Sequence, residues 1–343
     1  MAQGHEALAG GLTRALARHL EATLGAQPEV TDLARLTAGA ANETWRFDAL
    51  GNGERIGCIL RRSPASLSGE AAPETSEGAS ETNLGKAGEA AVQQAAREAG
   101  VAAAEVLFVL DAEDGLGEGY VMARLEGETI PRRILRDPEY AELRTHLAHD
   151  CGRTLAQLHS VDPDRLPALN RMGAAEQLTR YGEIYRAFGQ PVPVFDLALR
   201  WLADRRRDPQ RLAVVHGDFR NGNLMVGPEG IRAVLDWELA HLGDPMEDLG
   251  WLCVTSWRFG EIDHPVGGFG QREDLFAGYE AAGGGGVDPD AVRYWEVFGT
   301  LKWGIMCMIM THSHLSGMAR SVEKAAIGRR VSETELDLLN LLT

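Results

Sequence analysis

Leucines recur every fourth residue near the start of the chain, and apolar and polar residues alternate soon afterwards. The leucines are Leu8, Leu12, Leu16, Leu20 and Leu24. A four-residue spacing places them on one face of a helix, which we expect to end near Gly25. Alternation around Phe47, and again around Cys58, predicts two strands. The intervening Asn52-Gly53 favours a tight hairpin turn between these strands.

Residues 64–86 interrupt this pattern with small and polar residues and almost no large apolar side chain. That composition predicts a solvated, mobile insertion. A helical pattern follows from about Lys86 to Glu98, and apolar runs at Val106–Leu110 and Tyr120–Leu125 predict further strands. Residues 1–126 are therefore expected to form a small, β-rich α+β lobe.

Beyond residue 126 the pattern becomes helical. An apolar stripe from Leu143 to Leu158 is typical of a helix, and a β interruption is expected between Leu212 and Asp236. We expect residues 127–343 to form a larger, mainly α-helical lobe. A chain of 343 residues is also long for a single core and suits two lobes. The expected fold is α+β and bilobal.

Charge and cysteine content narrow the possible partners. The chain carries 50 acidic and 34 basic residues, for a net charge of −16. Nucleic acids and anionic membranes attract basic surfaces, so we expect neither a nucleic-acid partner nor a membrane partner. Four widely separated cysteines, and the lack of an apolar signal core near the N-terminus, predict a cytoplasmic protein with reduced thiols.

Segment 212–250 concentrates the polar residues that could carry chemistry. The apolar run Leu212–Val215 predicts a strand that delivers His216-Gly217-Asp218 into a loop. A carboxylate on such a loop can accept the proton of a hydroxyl group. Asp218 is therefore a candidate catalytic base.

A hairpin with a Gly-Pro-Glu-Gly turn follows this loop. Val226 is expected to oppose Ile231 across the turn. That register places Asn223 opposite Val234, with Asp236 as a diagonal neighbour on the same face. Mg²⁺ prefers oxygen ligands and bridges to phosphate. Asn223 and Asp236 are therefore candidate metal ligands.

This order of residues matches the phosphoryl-transfer template: a catalytic-loop Asp, an Asn five residues later and a metal-binding Asp after a hairpin. The sequence resembles the aminoglycoside phosphotransferase family, which shares the protein-kinase fold. Asp236-Trp237-Glu238 stands in the place of the kinase Asp-Phe-Gly, and Gly243-Asp244-Pro245 with Asp248-Leu249-Gly250 resembles the family's next block. The stretches Lys302-Trp303-Gly304 and Gly328-Arg329-Arg330 resemble the kinase-like domain that is fused to acyl-CoA dehydrogenases in some proteins.

The resemblance implies roles for residues of the N-terminal lobe. Thr37–Thr44 would cover the nucleotide phosphates, Arg61 would contact the α- and β-phosphates, and Glu89 would position Arg61. Arg61 stands where protein kinases use Lys, and Lys86 is expected to be a poor substitute because it follows the insertion. The strand register favours Arg61 facing inward and Arg62 reaching water. The residues implied in nucleotide binding, including the hinge, are Gly39, Ala40, Asn42, Arg61, Glu89, Met122, Ala123 and Leu125.

Other polar residues near the proposed site have structural interpretations. We expect His216 to fix the loop by hydrogen bonding rather than to transfer a proton. Asp244 and Asp248 suit a helix cap, or bonds to loop amides, better than metal binding. Trp237 suits packing.

The resemblance implies a phosphotransferase that moves the γ-phosphoryl group of ATP to a hydroxyl of a small molecule, with Mg²⁺ as cofactor. The sequence leaves the acceptor open between an aminoglycoside-like molecule and a hydroxylated metabolite, such as a hydroxy acid or its thioester. It does not choose between ATP and GTP. A catalytically silent, nucleotide-binding pseudokinase module is the alternative, because Arg61 replaces Lys and the phosphate-covering loop has a single glycine.

Overall fold

An antiparallel sheet makes up most of the N-terminal region. The computed structural model describes residues 2–24, 28–36, 42–63, 84–206 and 208–343. Within these residues the strands of this sheet are β1 (Glu29–Arg35), β2 (Glu43–Gly51), β3 (Glu54–Ser63), β4 (Val106–Val109) and β5 (Glu118–Ala123). They pair in the order β1-β2-β3-β5-β4.

The hairpin between β2 and β3 is confirmed. Gly51 pairs with Glu54, which leaves Asn52 and Gly53 as a two-residue turn. Their φ angles are 51° and 83°, as an Asn-Gly turn of this kind requires. The turn sets the register of both strands. Successive side chains of β3 therefore face the two sides of the sheet in a fixed order.

Two helices cover opposite faces of the sheet. Helix α1 (Ala2–Leu24) confirms the predicted leucine stripe, because Leu12, Leu16, Leu20 and Leu24 are buried with sheet residues such as Leu60. Helix α2 (Gly85–Glu98) contacts β3, β4 and β5. Neighbouring strand residues face opposite sides of a sheet. Leu60 therefore meets α1, whereas Arg61 faces the side of α2.

The insertion predicted for residues 64–86 ends earlier than expected. Helix α2 begins at Gly85, and the side chain of Lys86 is buried in its first turn. The prediction was wrong for this end because Lys86 has an acidic partner on the same helix, described below, which composition alone does not reveal. Residues 64–83 lie outside the described residues.

The C-terminal region is mainly helical. Its helices are α3 (Pro131–Arg136), α4 (Ala141–Arg144), α5 (Leu147–Leu158), α6 (Ala174–Ala187), α7 (Pro193–Asp204), α8 (Met246–Cys253), α9 (Arg272–Ala281), α10 (Pro289–Leu315), α11 (Val322–Ile327) and α12 (Arg330–Leu342). Leucines of the predicted stripe, from Leu143 to Leu158, are buried in α4 and α5. The predicted lobe boundary at 126–127 falls between β5 and α3 and stays a prediction.

Two short strand pairs carry the polar segment. Strand β6 (Ala213–Val215) pairs with β9 (His241–Gly243), and β7 (Leu224–Gly227) forms a hairpin with β8 (Gly230–Val234). Val226 opposes Ile231 as predicted, but the register shifts between Met225 and Val226.

The predicted pairing of Asn223 with Val234 is therefore wrong. Leu224 opposes Val234, and the carbonyl oxygen of Asn223 accepts the N–H of Leu235 at 2.8 Å. The cause is a β-bulge, in which one strand holds an extra residue between paired positions. Asn223 and Asp236 still lie at the same open end of the hairpin, because Asn223 directly precedes Leu224 and Asp236 lies two residues after Val234.

Two further features of the fold are the state of the cysteines and the length and polarity of the helices. Cys58, Cys151, Cys253 and Cys307 are buried and free. In the described part of the chain, no helix has both the length and the apolar character needed to cross a membrane.

Candidate active site

The loop after β6 takes a course that requires glycine. Gly217 has a φ of 79°, which a residue with a side chain adopts only at an energetic cost. A Cβ atom at this position would lie 2.6 Å from the carbonyl oxygen of Leu239. Gly217 therefore allows the loop to pass close to the chain that follows Asp236, and it brings Asp218 to the hairpin.

Asp248 anchors this loop from helix α8. Its carboxylate accepts the backbone N–H groups of His216 at 2.8 Å and Gly217 at 3.0 Å. Nε2 of His159 lies 3.1 Å from the same carboxylate. Burial raises the pKa of Asp248, but the hydrogen bond and charge of His159 outweigh burial and bring the pKa below its ordinary value. The expectation that Asp248 bonds loop amides is confirmed.

His216 and Asp244 have structural contacts of the expected kind. Nδ1 of His216 accepts the backbone N–H of Asp218 at 3.2 Å. Burial lowers the pKa of His216, so its imidazole is neutral near pH 7. Asp244 accepts a backbone N–H at the start of α8 at 3.0 Å and the indole N–H of Trp295 at 2.9 Å.

Hydrogen bonds from three side chains orient the carboxylate of Asp218. Oδ1 accepts Nε–H of Arg220 at 2.9 Å and the indole N–H of Trp251 at 2.8 Å. Oδ2 accepts an amide N–H of Asn223 at 2.5 Å. A carboxylate has about four lone-pair positions. Among the described residues these three donors leave one position, on Oδ2, for an incoming hydroxyl.

Asn223 is held so that its amide oxygen faces away from Asp218. Its Nδ2 donates both to the carboxylate of Asp218 and, at 3.0 Å, to the carbonyl oxygen of Asp218. Within the described chain, no donor contacts Oδ1 of Asn223. The arrangement leaves that oxygen available as a ligand for a cation.

Arg61 joins the two lobes through Asp236. Its Nη2 lies 2.7 Å from Oδ1 of Asp236 and 3.8 Å from Oε2 of Glu89. Burial raises the pKa of Asp236, but the charge and hydrogen bond of Arg61 outweigh it and bring the pKa below its ordinary value. Asp236 also has a φ of 68°, in the left-handed region that few residues other than glycine adopt. The predicted residues Arg61, Glu89 and Asp236 are thus brought together.

Glu89 has a closer partner than Arg61. Lys86, one helical turn earlier, donates a hydrogen bond to the other carboxylate oxygen of Glu89, and both side chains are buried. Burial raises the pKa of Glu89, and the charges of Lys86 and Arg61 offset only part of that effect. Lys86 therefore contacts a residue of the candidate site, Glu89, although its position after the insertion had suggested that it would lie away from the site.

Glu238 is a site residue that the sequence analysis did not select. Its Oε2 accepts an amide N–H of Asn42 at 3.1 Å and lies 3.7 Å from Nη2 of Arg61. Burial, and then the charge of Asp236, raise the pKa of Glu238 to about 7. The signal that could have found Glu238 is its spacing, because a second carboxylate two residues after Asp236 can face the same cation.

The prediction that Arg62 reaches water was wrong. Its guanidinium is buried, pairs with Glu43 at 2.8 Å and donates to the carbonyl oxygen of Leu116 at 2.9 Å. The face of β3 that carries Arg62 is the face covered by α1. Arg61 faces the opposite side, as predicted.

The remaining residues expected to bind the nucleotide are partly described. Gly39 and Ala40 lie outside the described residues. At the hinge, the N–H of Ala123 is already bonded to the carbonyl oxygen of Glu105 at 2.9 Å. Met122 lies one strand position earlier and pairs with Ile59. In the described structure the N–H of Leu125 has no acceptor, so among the residues expected at the hinge it is an N–H that could meet a ligand.

The side chains around Asp236 suit a hard divalent cation. Asp236, Glu238 and the amide oxygen of Asn223 all offer oxygen, the ligand type that Mg²⁺ prefers. Oε2 of Glu89 is buried without a hydrogen-bond partner, and the raised pKa of Glu238 also reflects an excess of negative charge. A divalent cation held by Asp236, Glu238 and Asn223 would relieve that excess.

Comparisons with known proteins agree with this arrangement. The sequence profile described as "Phosphotransferase enzyme family" matches residues 32–284. Acyl-CoA dehydrogenase family member 10 of Mus musculus is 30% identical over 175 residues, which cover 48% of this chain and 16% of the relative. Family member 11 of Gallus gallus is 33% identical over 175 residues, covering 47% and 22%. The chain therefore matches well under half of either relative, and the resemblance to a domain found in these proteins is confirmed.

Solved structures share the fold over nearly the whole chain. A candidate aminoglycoside phosphotransferase from Ralstonia eutropha has a TM-score of 0.71 and 22% identity, with 96% of this chain and 97% of that chain covered. A thermostable mutant of aminoglycoside phosphotransferase APH(4)-Ia, in a ternary complex with ADP and hygromycin B, has a TM-score of 0.58 and 15% identity, with coverage of 95% and 98%. The predicted bilobal, protein-kinase-like α+β fold is confirmed. Because the matched profile spans residues 32–284 of 343, the chain belongs to the phosphotransferase enzyme family.

Proposed function

We propose that the protein transfers the γ-phosphoryl group of ATP to a hydroxyl group of a small molecule. The bond between the γ-phosphorus and the bridging oxygen breaks, and ADP leaves with that electron pair. A new bond forms between the phosphorus and the acceptor oxygen, whose proton passes to Oδ2 of Asp218. Phosphoryl transfer of this kind depends mainly on positioning and on electrostatic stabilisation.

The observation that carries the proposal is the hydrogen bonding of Asp218. Arg220, Trp251 and Asn223 hold the carboxylate in one orientation and leave a single accepting position on Oδ2. An acceptor hydroxyl that occupies this position is aligned by a rigid base rather than by a mobile one. Such alignment removes part of the entropic cost of bringing the reactants together.

Asp236, Asn223 and Glu238 would hold Mg²⁺, which neutralises developing charge on the phosphates when it is bound. Arg61 would bind the α- and β-phosphates after it leaves Asp236, and Glu89, 3.8 Å from Arg61, would then be its acidic partner. Lys86 keeps Glu89 in place. Leu125, at the hinge, would donate its N–H to the adenine ring.

A binding module without turnover is the second candidate, and one contact favours it. Arg61 lies closer to Asp236, at 2.7 Å, than to Glu89, at 3.8 Å. In a silent protein this ion pair would persist and keep Asp236 from a metal ion. In an enzyme the pair must open when the nucleotide binds.

The two candidates are separated by measuring binding and turnover in the same variants. We expect Mg·ATP at 100 times its dissociation constant to stabilise the native state by about 2.7 kcal/mol. Asp236→Ala should lose this magnesium-dependent stabilisation, whereas Asp218→Asn should keep it and lose most phosphoryl transfer, including slow hydrolysis of ATP. Asp263→Ala removes an exposed aspartate and serves as the control.

Equal turnover by the wild type and Asp218→Asn would refute the role given to Asp218. Magnesium-dependent binding without any turnover in the wild type would favour the silent module. The absence of stabilisation by Mg·ATP or Mg·GTP in the wild type would contradict both candidates.

A further inference from the structure

Arg220 occupies a fixed place beside the proposed catalytic carboxylate. Its Nε donates to Oδ1 of Asp218 at 2.9 Å. Its guanidinium carbon lies over the ring of Trp257, 4.6 Å from the ring centroid, a cation–π contact that helps to hold the guanidinium in place. A Cβ atom at Gly222 would lie 2.7 Å from Nη1 of Arg220. The loop thus has a glycine where a side chain would displace this guanidinium.

The terminal nitrogens of Arg220 are available to a ligand. A guanidinium has five N–H donors, and within the described structure only Nε–H of Arg220 has an acceptor. The side chain is 25% exposed, compared with 16% for Asp218. The two terminal nitrogens therefore present a planar donor pair next to the carboxylate that would receive the hydroxyl.

A donor pair of this kind favours one class of acceptor. Arginine binds carboxylate or phosphate oxygens through two parallel hydrogen bonds. A cationic acceptor would instead meet a positive charge, and the face of Trp257 that could attract a cation is already covered by Arg220. The terminal N–H groups of Arg220 are thus complementary to the oxygens of an anion.

We propose that Arg220 binds an oxyanion of the acceptor, a carboxylate or a phosphate, while the hydroxyl of the same molecule binds Oδ2 of Asp218. Arg220 is then a specificity-determining residue, and the acceptor is a small hydroxylated anion rather than a polycationic sugar. Because Nε of Arg220 already contacts Asp218, the hydroxyl and the anion are separated by only a few bonds. This inference rests on the proposed phosphotransferase function.

The test uses matched acceptors that differ only in charge. We would measure phosphoryl transfer from ATP to ω-hydroxycarboxylates of two, three and four carbons, to hydroxyalkyl phosphates of the same lengths, and to the corresponding amides and amines. The wild type should prefer an anionic member over its amide by about 10- to 100-fold in kcat/KM, the range of a charge-assisted hydrogen bond. The carboxylate and phosphate arms identify which oxyanion is bound.

Substitutions of Arg220 test whether this residue causes the preference for an anionic acceptor over its amide. In Arg220→Gln the ratio of anion to amide should fall to near one, and Arg220→Lys should keep a several-fold preference. Using this ratio cancels any general loss of rate caused by the contact with Asp218. Arg205→Gln is the control, because the guanidinium of Arg205 also stacks on a tryptophan, Trp201, at 4.7 Å but lies outside the site.

Stabilisation by Mg·ATP is measured in the same samples. The inference is overturned if that stabilisation and slow, Asp218-dependent hydrolysis of ATP are both present but the wild type prefers amides or amines, phosphorylates no anion, or keeps its anion preference in Arg220→Gln. Failure of the stabilisation, or stabilisation without any turnover of ATP, would instead refute the proposed function.

Discussion

Nη2 of Arg61 lies 2.7 Å from Oδ1 of Asp236, across the contact between the N-terminal sheet and the segment that follows the β7–β8 hairpin. The side chain of Arg61 is 16% exposed, and its Nη2 also faces Glu89 and Glu238 at 3.8 and 3.7 Å. Burial lowers the pKa of Arg61, but the charge of Asp236 reverses this effect, and the pKa is raised overall. Arg61 faces all three acidic side chains, with Lys86 as a second cation on Glu89, and removing Arg61 should therefore affect stability as well as nucleotide binding.

We expect a double-mutant cycle on this pair to give a coupling energy of about 1–2 kcal/mol. The variants are Arg61→Gln, Asp236→Asn and the double substitution, and the measurement is the free energy of unfolding in urea without nucleotide. Each single variant should be less stable than the wild type, because Arg61→Gln leaves the partly buried charge of Asp236 without this partner and Asp236→Asn removes the acidic group nearest to Arg61.

The pair Arg232 and Glu229 is the control for this cycle, since both side chains are largely exposed and their separation is 2.5 Å. Exposed ion pairs contribute little, so no coupling should be measurable there. Additive effects of Arg61→Gln and Asp236→Asn would show that the pair contributes nothing to the folded state.

Asp248→Asn should reduce both stability and turnover. The carboxylate accepts N–H groups of His216 and Gly217 and pairs with His159, and its side chain is fully buried. An amide replaces one accepting oxygen by a donor that faces other donors, at a cost of about 2–4 kcal/mol. Urea unfolding and steady-state turnover would measure the effect, with the exposed Asp274→Asn as control. Wild-type stability in Asp248→Asn would contradict the anchoring role.

The part of the candidate site that lies in segment 212–250 was largely predictable because its residues are close in sequence. The order of Asp218, Asn223 and Asp236 follows from one loop and one hairpin, and each reaches the open end of that hairpin. The bulge was not predictable from alternation, since alternation assumes one residue opposite one residue.

The remaining differences between the predicted and the observed site depend on contacts between segments that are distant in sequence. Arg62 is enclosed because α1 covers its face of the sheet, and the sequence does not say which face a helix will cover. Lys86 could be assigned to the site only once it was seen to be buried with Glu89. The same holds for Glu238, whose contact with Asn42 joins residues far apart in the chain.

A comparison of Gly217→Ala with Gly53→Ala should isolate the cost of the close approach between the loop after β6 and Leu239. Both glycines have similar φ angles, 79° and 83°. A Cβ atom at residue 53 would meet no atom within 4 Å, whereas one at residue 217 would lie 2.6 Å from the carbonyl oxygen of Leu239. Gly53→Ala should therefore cost about 1 kcal/mol for its backbone conformation alone.

Gly217→Ala should cost about 2–4 kcal/mol, because the loop must also move away from that carbonyl oxygen. It should also lose most turnover, since Asp218 would be displaced, while Gly53→Ala remains active. Thermal unfolding and turnover of both variants provide the measurement. Equal losses of stability in the two variants would show that the contact with Leu239 is not restrictive.

Asp337 in α12 should make the protein less stable as the pH rises from about 4 to about 6. Burial raises the pKa of this carboxyl to about 6; the charge of Arg258 opposes the shift, and the charges of Glu333 and Glu296 add to it. The folded state therefore keeps a proton that the unfolded chain loses at lower pH. The stabilising effect of this proton is complete below the pKa of the unfolded chain and is lost as the pH rises through the pKa of the folded state.

Asp337→Asn does not titrate. Its free energy of unfolding relative to the wild type should increase by about 1–3 kcal/mol between pH 4 and pH 7.5. Urea unfolding across this pH range, with the exposed Asp263→Asn as control, measures the difference, and a difference that is constant with pH would refute the assignment.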